Sequence, residues 1–177
     1  MSAVEELILD VSIARKNYTK LIECYTQEQA QWKRAPEEWC MVEITEHLFW
    51  AEQGGILGMW KSIDAIREGK TERKYESIHQ DMPIEQIIEL TWQPKEKVPA
   101  VAAPRLGGPL AFWCNSLNNL QGLLESFGRH MNNEELRLQA HPHPISGPMD
   151  FQQRLEFLRF HINRHREQVL VLINEMK

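Results

Sequence analysis

Apolar residues recur at alternating steps of three and four through most of the chain, the period of helices that bury one face. The first stripe runs through Val4, Leu7, Val11, Ala14, Tyr18, Leu21 and Tyr25. Ser2 and Glu5 stand ahead of it in capping-box spacing, and Pro36 marks its end. A second stripe, from near Met41 to about Glu68, turns Ile44, Leu48, Ala51, Met59, Ile63 and Ile66 inward and closes at Gly69. Its Gly54-Gly55 pair lowers helix propensity, which predicts a kink or a close helix contact in preference to room for a ligand. A third helix is predicted from Pro109, a residue suited to a helix start, with Leu110, Trp113, Leu117, Leu120, Leu124 and Phe127 on one face. The fourth follows Asp150, which pairs with Gln153 as a capping box, and runs almost to Lys177.

Roughly forty residues separate the second and third helices, far more than an antiparallel hairpin needs. This stretch holds a short helical segment from Ile84 to Leu90 and then a run containing Pro94, Pro99, Pro104, Gly107, Gly108 and Pro109. A long crossover of this kind is one way to wire a four-helix bundle. The expectation is therefore an all-α fold, a four-helix bundle formed by residues 1–177 as one domain, since 177 residues suffice to bury a sizeable core.

The fourth helix carries the strongest chemical signal. His165 occupies a slot between Ile162 and Val169 where an aliphatic residue belongs, and His161 precedes it by four, so both imidazoles share the inward face. Such a pair can offer two nitrogens to one metal ion, as in H-E-x-x-H, or serve as hydrogen-bonded core histidines. In the second helix His47 is adjacent to Leu48 and one turn from Ile44 and Ala51. If these two helices pack together, three imidazoles meet in the bundle interior and leave coordination positions open, the arrangement of a catalytic site.

Other residues carry weaker signals. Glu43, one turn before His47, is read first as a helix cap and second as a general base or a proton acceptor from the ring. Gln168 and Arg164 stand near the histidine pair as supporting or surface groups, with Arg164 expected to be solvated. His141 and His143 sit in a Pro-flanked turn and are read first as inert loop histidines and second as groups at the pocket mouth, while Trp50 and Trp113 are core residues or pocket walls. Cys24, Cys40 and Cys114 are odd in number and lack C-x-x-C spacing, which argues against disulfides or a thiolate site and for a reducing compartment. A net charge of −5 argues against nucleic acid or an anionic membrane as partner. With Glu5 and Glu6 where a signal peptide would be basic, the expected location is cytoplasmic.

Trp39, Glu43, His47, Leu48 and Glu52 resemble the W-S-x-x-E-x-x-x-H-L segment of the DinB/YfiT-like superfamily, and His161, Arg164, His165 and Gln168 match its closing H-x-x-R-H-x-x-Q. His143, Pro144 and Gly147 are similar to the H-P-x-x-G approach of the DinB-like branch. The resemblance implies an up-down-down-up bundle and a divalent cation, nickel or zinc, held by His47, His161 and His165. It further implies a metal-dependent enzyme acting on a small molecule, foremost a thiol S-transferase with a low-molecular-weight thiol such as bacillithiol or mycothiol as co-substrate. The alternatives are a metal-dependent hydrolase and a non-catalytic metal-binding or stress-response protein, with a homodimer among its expected forms. One departure is Cys40, where the family has Ser, a better helix cap.

Overall fold

The periodic segments fold as helices in the computed structural model, which describes residues 1–72, 78–93 and 97–176. Four long helices, α1 (Ala3–Ile22), α3 (Met41–Arg67), α5 (Leu110–His130) and α6 (Phe151–Glu175), are joined by connections that carry two short ones, α2 (Gln27–Gln31) and α4 (Ile84–Thr91). A 3₁₀ turn spans Asn133–Arg137. Among the described residues there is no strand, only isolated bridges pairing Gln139 with Asp150 and His143 with Gly147. No helix of these residues is long and apolar enough to cross a membrane. Pro94 of the crossover lies outside the described residues, as does Lys177.

Helix starts follow the capping chemistry of the sequence. Ser2 Oγ accepts from Glu5 N while Glu5 reaches back to Ser2 N, and Asp150 and Gln153 make the same reciprocal pair at α6. The first helix is shorter than its apolar stripe, because Thr26 and Gln29 form another capping box and start α2. Tyr25, left in the turn, still packs on the core.

Pairs of contacts fix the helix directions. Tyr18 meets Thr45 while Arg15 meets Glu52, so α1 and α3 run opposite ways. Thr19 faces Asn118 and Ile8 lies against Gly128, which makes α5 antiparallel to α1. Phe49 meets Trp113 and Trp60 meets Phe127, so α3 and α5 are parallel. Gly55 faces Leu158 while His47 faces His161, which returns α6 to the direction of α1. The bundle is up-down-down-up. Around it the neighbours are α1 and α5, α5 and α3, α3 and α6, and α6 and α1, leaving α1 and α3 on one diagonal and α5 and α6 on the other.

The core draws Val11, Tyr18, Leu48, Phe127, Leu155 and Val169 from all four helices, and each large apolar side chain fully buried contributes about 1.5–3 kcal/mol. A side chain on Gly128 would overlap Ile8, so glycine permits the close approach of α1 and α5. A second cluster of Ile84, Ile87, Ile88, Met149 and Phe157 seats α4 on α6.

The crossover is tied down by a carboxylate. Glu46, wholly buried in α3, accepts from the backbone N–H groups of Arg105 (2.8 Å), Leu106 (2.8 Å) and Gly107 (2.9 Å) and from Trp50 Nε1 (3.1 Å). Burial opposes its ionisation, yet these backbone donors bring its pKa below the ordinary value. Gly107 and Gly108 then take positive φ, which lets the chain turn from this anchor into α5. Residues 97–107 are thereby held across the open side of the groove between α3 and α6, where the histidines lie.

Candidate metal centre

His47 on α3 and His161 and His165 on α6 are all buried, and a ligand nitrogen from each lies within 4.8 Å of the other two. His161 Nε2 is 3.1 Å from His47 Nε2 and 3.0 Å from His165 Nε2. Helical spacing accounts for the α6 pair: four residues make about one turn, so the rings project from one face. His47 reaches them because α3 and α6 are antiparallel neighbours whose middle turns pack through Gly55 and Leu158.

Two of the tautomers follow from the partners. His47 Nδ1–H donates to the Ala102 carbonyl (2.8 Å), and His165 Nδ1–H donates to Gln168 Oε1 (2.6 Å). A carbonyl oxygen only accepts, so the lone pairs of both rings sit on Nε2 and face His161. Burial lowers the pKa of His47, against the opposing Ala102 hydrogen bond. Burial and the neighbouring rings push His161 far down, and burial with His47 pushes His165 down to about 3. All three are therefore neutral at pH 7, the form in which imidazole binds metal. With metal–nitrogen bonds of about 2.0–2.1 Å, nitrogens sharing one ion sit roughly 3.0–3.4 Å apart, and both spacings from His161 fall at the short end of that range. The donor set fits a divalent ion.

The rings are packed in place. Phe157 stacks on His161 at 5.3 Å, and Trp39 lies 5.0 Å from His47. Beyond them opens a cavity of about 690 Å³, walled by Trp39, Trp50, Trp92, Phe157 and the crossover residues Pro99 and Ala102. Its size and mostly apolar walls suit a small organic molecule.

Comparison with known proteins places this architecture. A model of the DinB superfamily matches residues 11–169. The chain belongs to the DinB superfamily. No curated protein matches it in sequence. Among solved structures it resembles YfiT from Bacillus subtilis, described as a probable metal-dependent hydrolase with an unusual four-helix bundle topology. The two are 12% identical, with a TM-score of 0.64 over 99% of this chain and 90% of that one.

In this DinB superfamily protein several residues singled out from sequence do not meet at the histidines. Glu43 caps α3 through Cys40 N (2.9 Å), pairs with Lys33 (2.8 Å) and is not among the residues that line the cavity. Trp113 is not a wall of the cavity. It is buried in the core with Nε1 donating to the Gly107 carbonyl (2.6 Å), since α5 lies on the far side of α3 from α6. Trp50 does line the cavity, beneath the Arg105 guanidinium at 4.0 Å. Arg164, expected in solvent, is half-buried, with its guanidinium 5.1 Å from the centre of the Trp92 ring. His143 and His141 line the cavity outside the three-histidine group. His143 Nδ1 accepts from the N–H groups of Ile145 and Ser146, both at 3.2 Å, and closes the turn ahead of α6. Sequence reading missed two groups, Glu46, which fixes the crossover beside His47, and Arg154, buried in the cavity wall. The only signal for either is a charged residue at an inward helical position.

Proposed function

We propose that this protein is a divalent-metal-dependent enzyme in which His47, His161 and His165 hold the ion as neutral ligands and leave it open to the cavity. The observation that carries the reading is the convergence of the three imidazoles, with two Nδ1–H groups committed to Ala102 and Gln168. Nickel and zinc both suit imidazole, and the donor set does not choose between them. A divalent ion bound there supplies Lewis-acid activation, lowering the pKa of a thiol or water that reaches it.

The reaction we favour is transfer of a low-molecular-weight thiol to an electrophile: the sulfur forms the new bond, the electrophile's leaving group departs with its electron pair, and the thiol proton passes to solvent. The three-histidine group includes no carboxylate among the described residues, and this reaction requires none. Ala102 and Gln168 orient the ligands, while Trp39, Trp92 and Phe157 exclude bulk water and leave room for thiol and acceptor side by side. Hydrolysis is the second reading, favoured by the description of YfiT as a probable metal-dependent hydrolase.

Protein purified without a histidine tag should contain close to one divalent ion per chain by elemental analysis, and His165→Ala should lose it. Absence of metal after growth in metal-replete medium overturns the reading. The holoenzyme is then given 1-chloro-2,4-dinitrobenzene with cysteine, or p-nitrophenyl acetate alone, with and without EDTA. Chelator-sensitive turnover in the first assay supports transfer and in the second hydrolysis; none in either indicates a metal-binding protein without catalysis.

A further inference from the structure

Arg154 lies on α6 seven residues before His161, two turns away on the same face and roughly 10 Å along the axis. It is only 5% exposed, yet it lines the same cavity as the three histidines. A buried guanidinium ordinarily faces a carboxylate, because taking an uncompensated charge out of water costs several kcal/mol. Arg154 has no such partner among the described residues. Among the described residues its side-chain hydrogen bond is from Nη2 to His141 Nε2 (2.8 Å), a neutral ring held in its uncharged form by burial and by Arg154 itself, while Nε and Nη1 are buried with no partner among those residues. The Phe157 ring stands between it and His161, with the guanidinium carbon 5.9 Å from the ring centre.

The surroundings hold this cation in position. His141 is the group that positions it, and the His141 ring occupies the space a side chain at Gly58 would need, so glycine in α3 admits the ring. His141 N also donates to Ser62 Oγ (3.0 Å). Burial lowers the Arg154 pKa to about 10, which still leaves it charged at pH 7. Arg34, Lys97 and Arg164 add further positive groups to the cavity lining, which also carries the carboxylates of Glu37 and Glu38.

We propose that Arg154 is an anion-binding residue of the cavity, and that the small-molecule substrate carries a carboxylate or phosphate group several bonds from its reacting atom. The anion docks on the free N–H groups of Arg154, and the reacting end lies beyond Phe157 at the three histidines. This rests on the proposed function for what happens at the histidines; the anion subsite itself does not require a metal.

The test is therefore run on both chelator-stripped and zinc-loaded protein. Calorimetry measures binding of phenylacetate, phenyl phosphate and the neutral 2-phenylethanol to wild type, Arg154→Met and Arg154→Lys. Stripped wild type should prefer the anions to the alcohol, and the tighter anion identifies the substrate's group. Arg154→Met should lose about tenfold or more of anion affinity while leaving the alcohol unchanged, and Arg154→Lys should keep part of the preference. Urea melts of Arg154→Met should show stability equal to or above wild type, since an unpaired buried charge has been removed. Equal binding of anion and alcohol by stripped wild type, or anion affinity unaltered in Arg154→Met, overturns the proposal whether or not zinc binds. If Arg154→Met does not fold, its role is structural and the wild-type and Lys comparisons decide the ligand. Arg154-dependent anion binding in a protein that takes up no zinc would sink the metal reading alone.

Discussion

Replacing Glu46 by Gln tests whether one buried carboxylate holds the crossover and, through it, a metal ligand. Glu46 Oε1 accepts from Trp50 Nε1, Arg105 N and Leu106 N, and Oε2 accepts from Gly107 N. Gln keeps one oxygen but sets an NH₂ group against whichever N–H groups faced the other. At least one half-buried donor loses its acceptor and the remaining bonds lose their charge assistance, a cost of about 2–4 kcal/mol. For a domain of this size that is a fall in Tm on the order of 5–15 °C. The second consequence is specific to the site. The crossover carries Ala102, whose carbonyl fixes His47 Nδ1–H at 2.8 Å, so loosening residues 97–107 frees the His47 ring and should weaken metal binding by about 10–100-fold, the usual cost of losing a ligand's supporting hydrogen bond. Thermal melts give the first quantity and competition with a fluorescent zinc chelator the second. Glu46→Gln with stability within about 0.5 kcal/mol of wild type and unchanged zinc affinity would refute the reasoning.

Gln168→Leu should leave the melting profile near wild type, since Gln168 is largely exposed, yet lower zinc affinity by about 10–100-fold in the same competition assay. Arg15 and Glu52 form a buried ion pair linking α1 to α3, and burial raises the Glu52 pKa against the lowering influence of Arg15. Either Arg15→Met or Glu52→Leu should cost about 3–5 kcal/mol in urea unfolding, while the double variant should recover most of the loss. The cavity histidines set an acid limit. His141 and His143 are lowered to about 4 and about 3, chiefly by burial, from an ordinary 6.5. The unfolded chain takes up protons near 6.5 where the folded one does not, so their contribution is whole above that pH and is lost as pH falls toward 3. Urea titrations of chelator-stripped protein from pH 7.5 to 4 should show stability falling, with a shallower slope in His143→Gln; an unaltered slope would place the acid sensitivity elsewhere.

The elements most legible in the sequence were those with local signals. The apolar stripes through Leu48, Leu117 and Ile162 became buried helix faces, and the capping boxes at Ser2 and Asp150 formed as their spacing indicates. The five-residue α2 is too short to carry a stripe, though Thr26 and Gln29 mark its start. The stagger that brings His47 to His161 is set by packing at Gly55 and Leu158, a fact of two helices that neither contains alone. Glu46 and Arg154 were hidden for a related reason: a charged residue in a helix reads as solvated until its surroundings are known. Apart from Trp50 one turn on, the partners of Glu46 are backbone groups about sixty residues away, which have no side-chain signature.

The diagonal placement of chain neighbours also governs how the molecule assembles. Because α1 and α3 face each other only across the bundle, as do α5 and α6, no pair of successive helices is a self-sufficient hairpin. Every side-by-side interface between the four long helices joins segments far apart in sequence, so loop-closure entropy is lost before any of them forms, a condition associated with slow and highly cooperative folding. His47 and His161, 114 positions apart, come within reach of each other only once that assembly is complete.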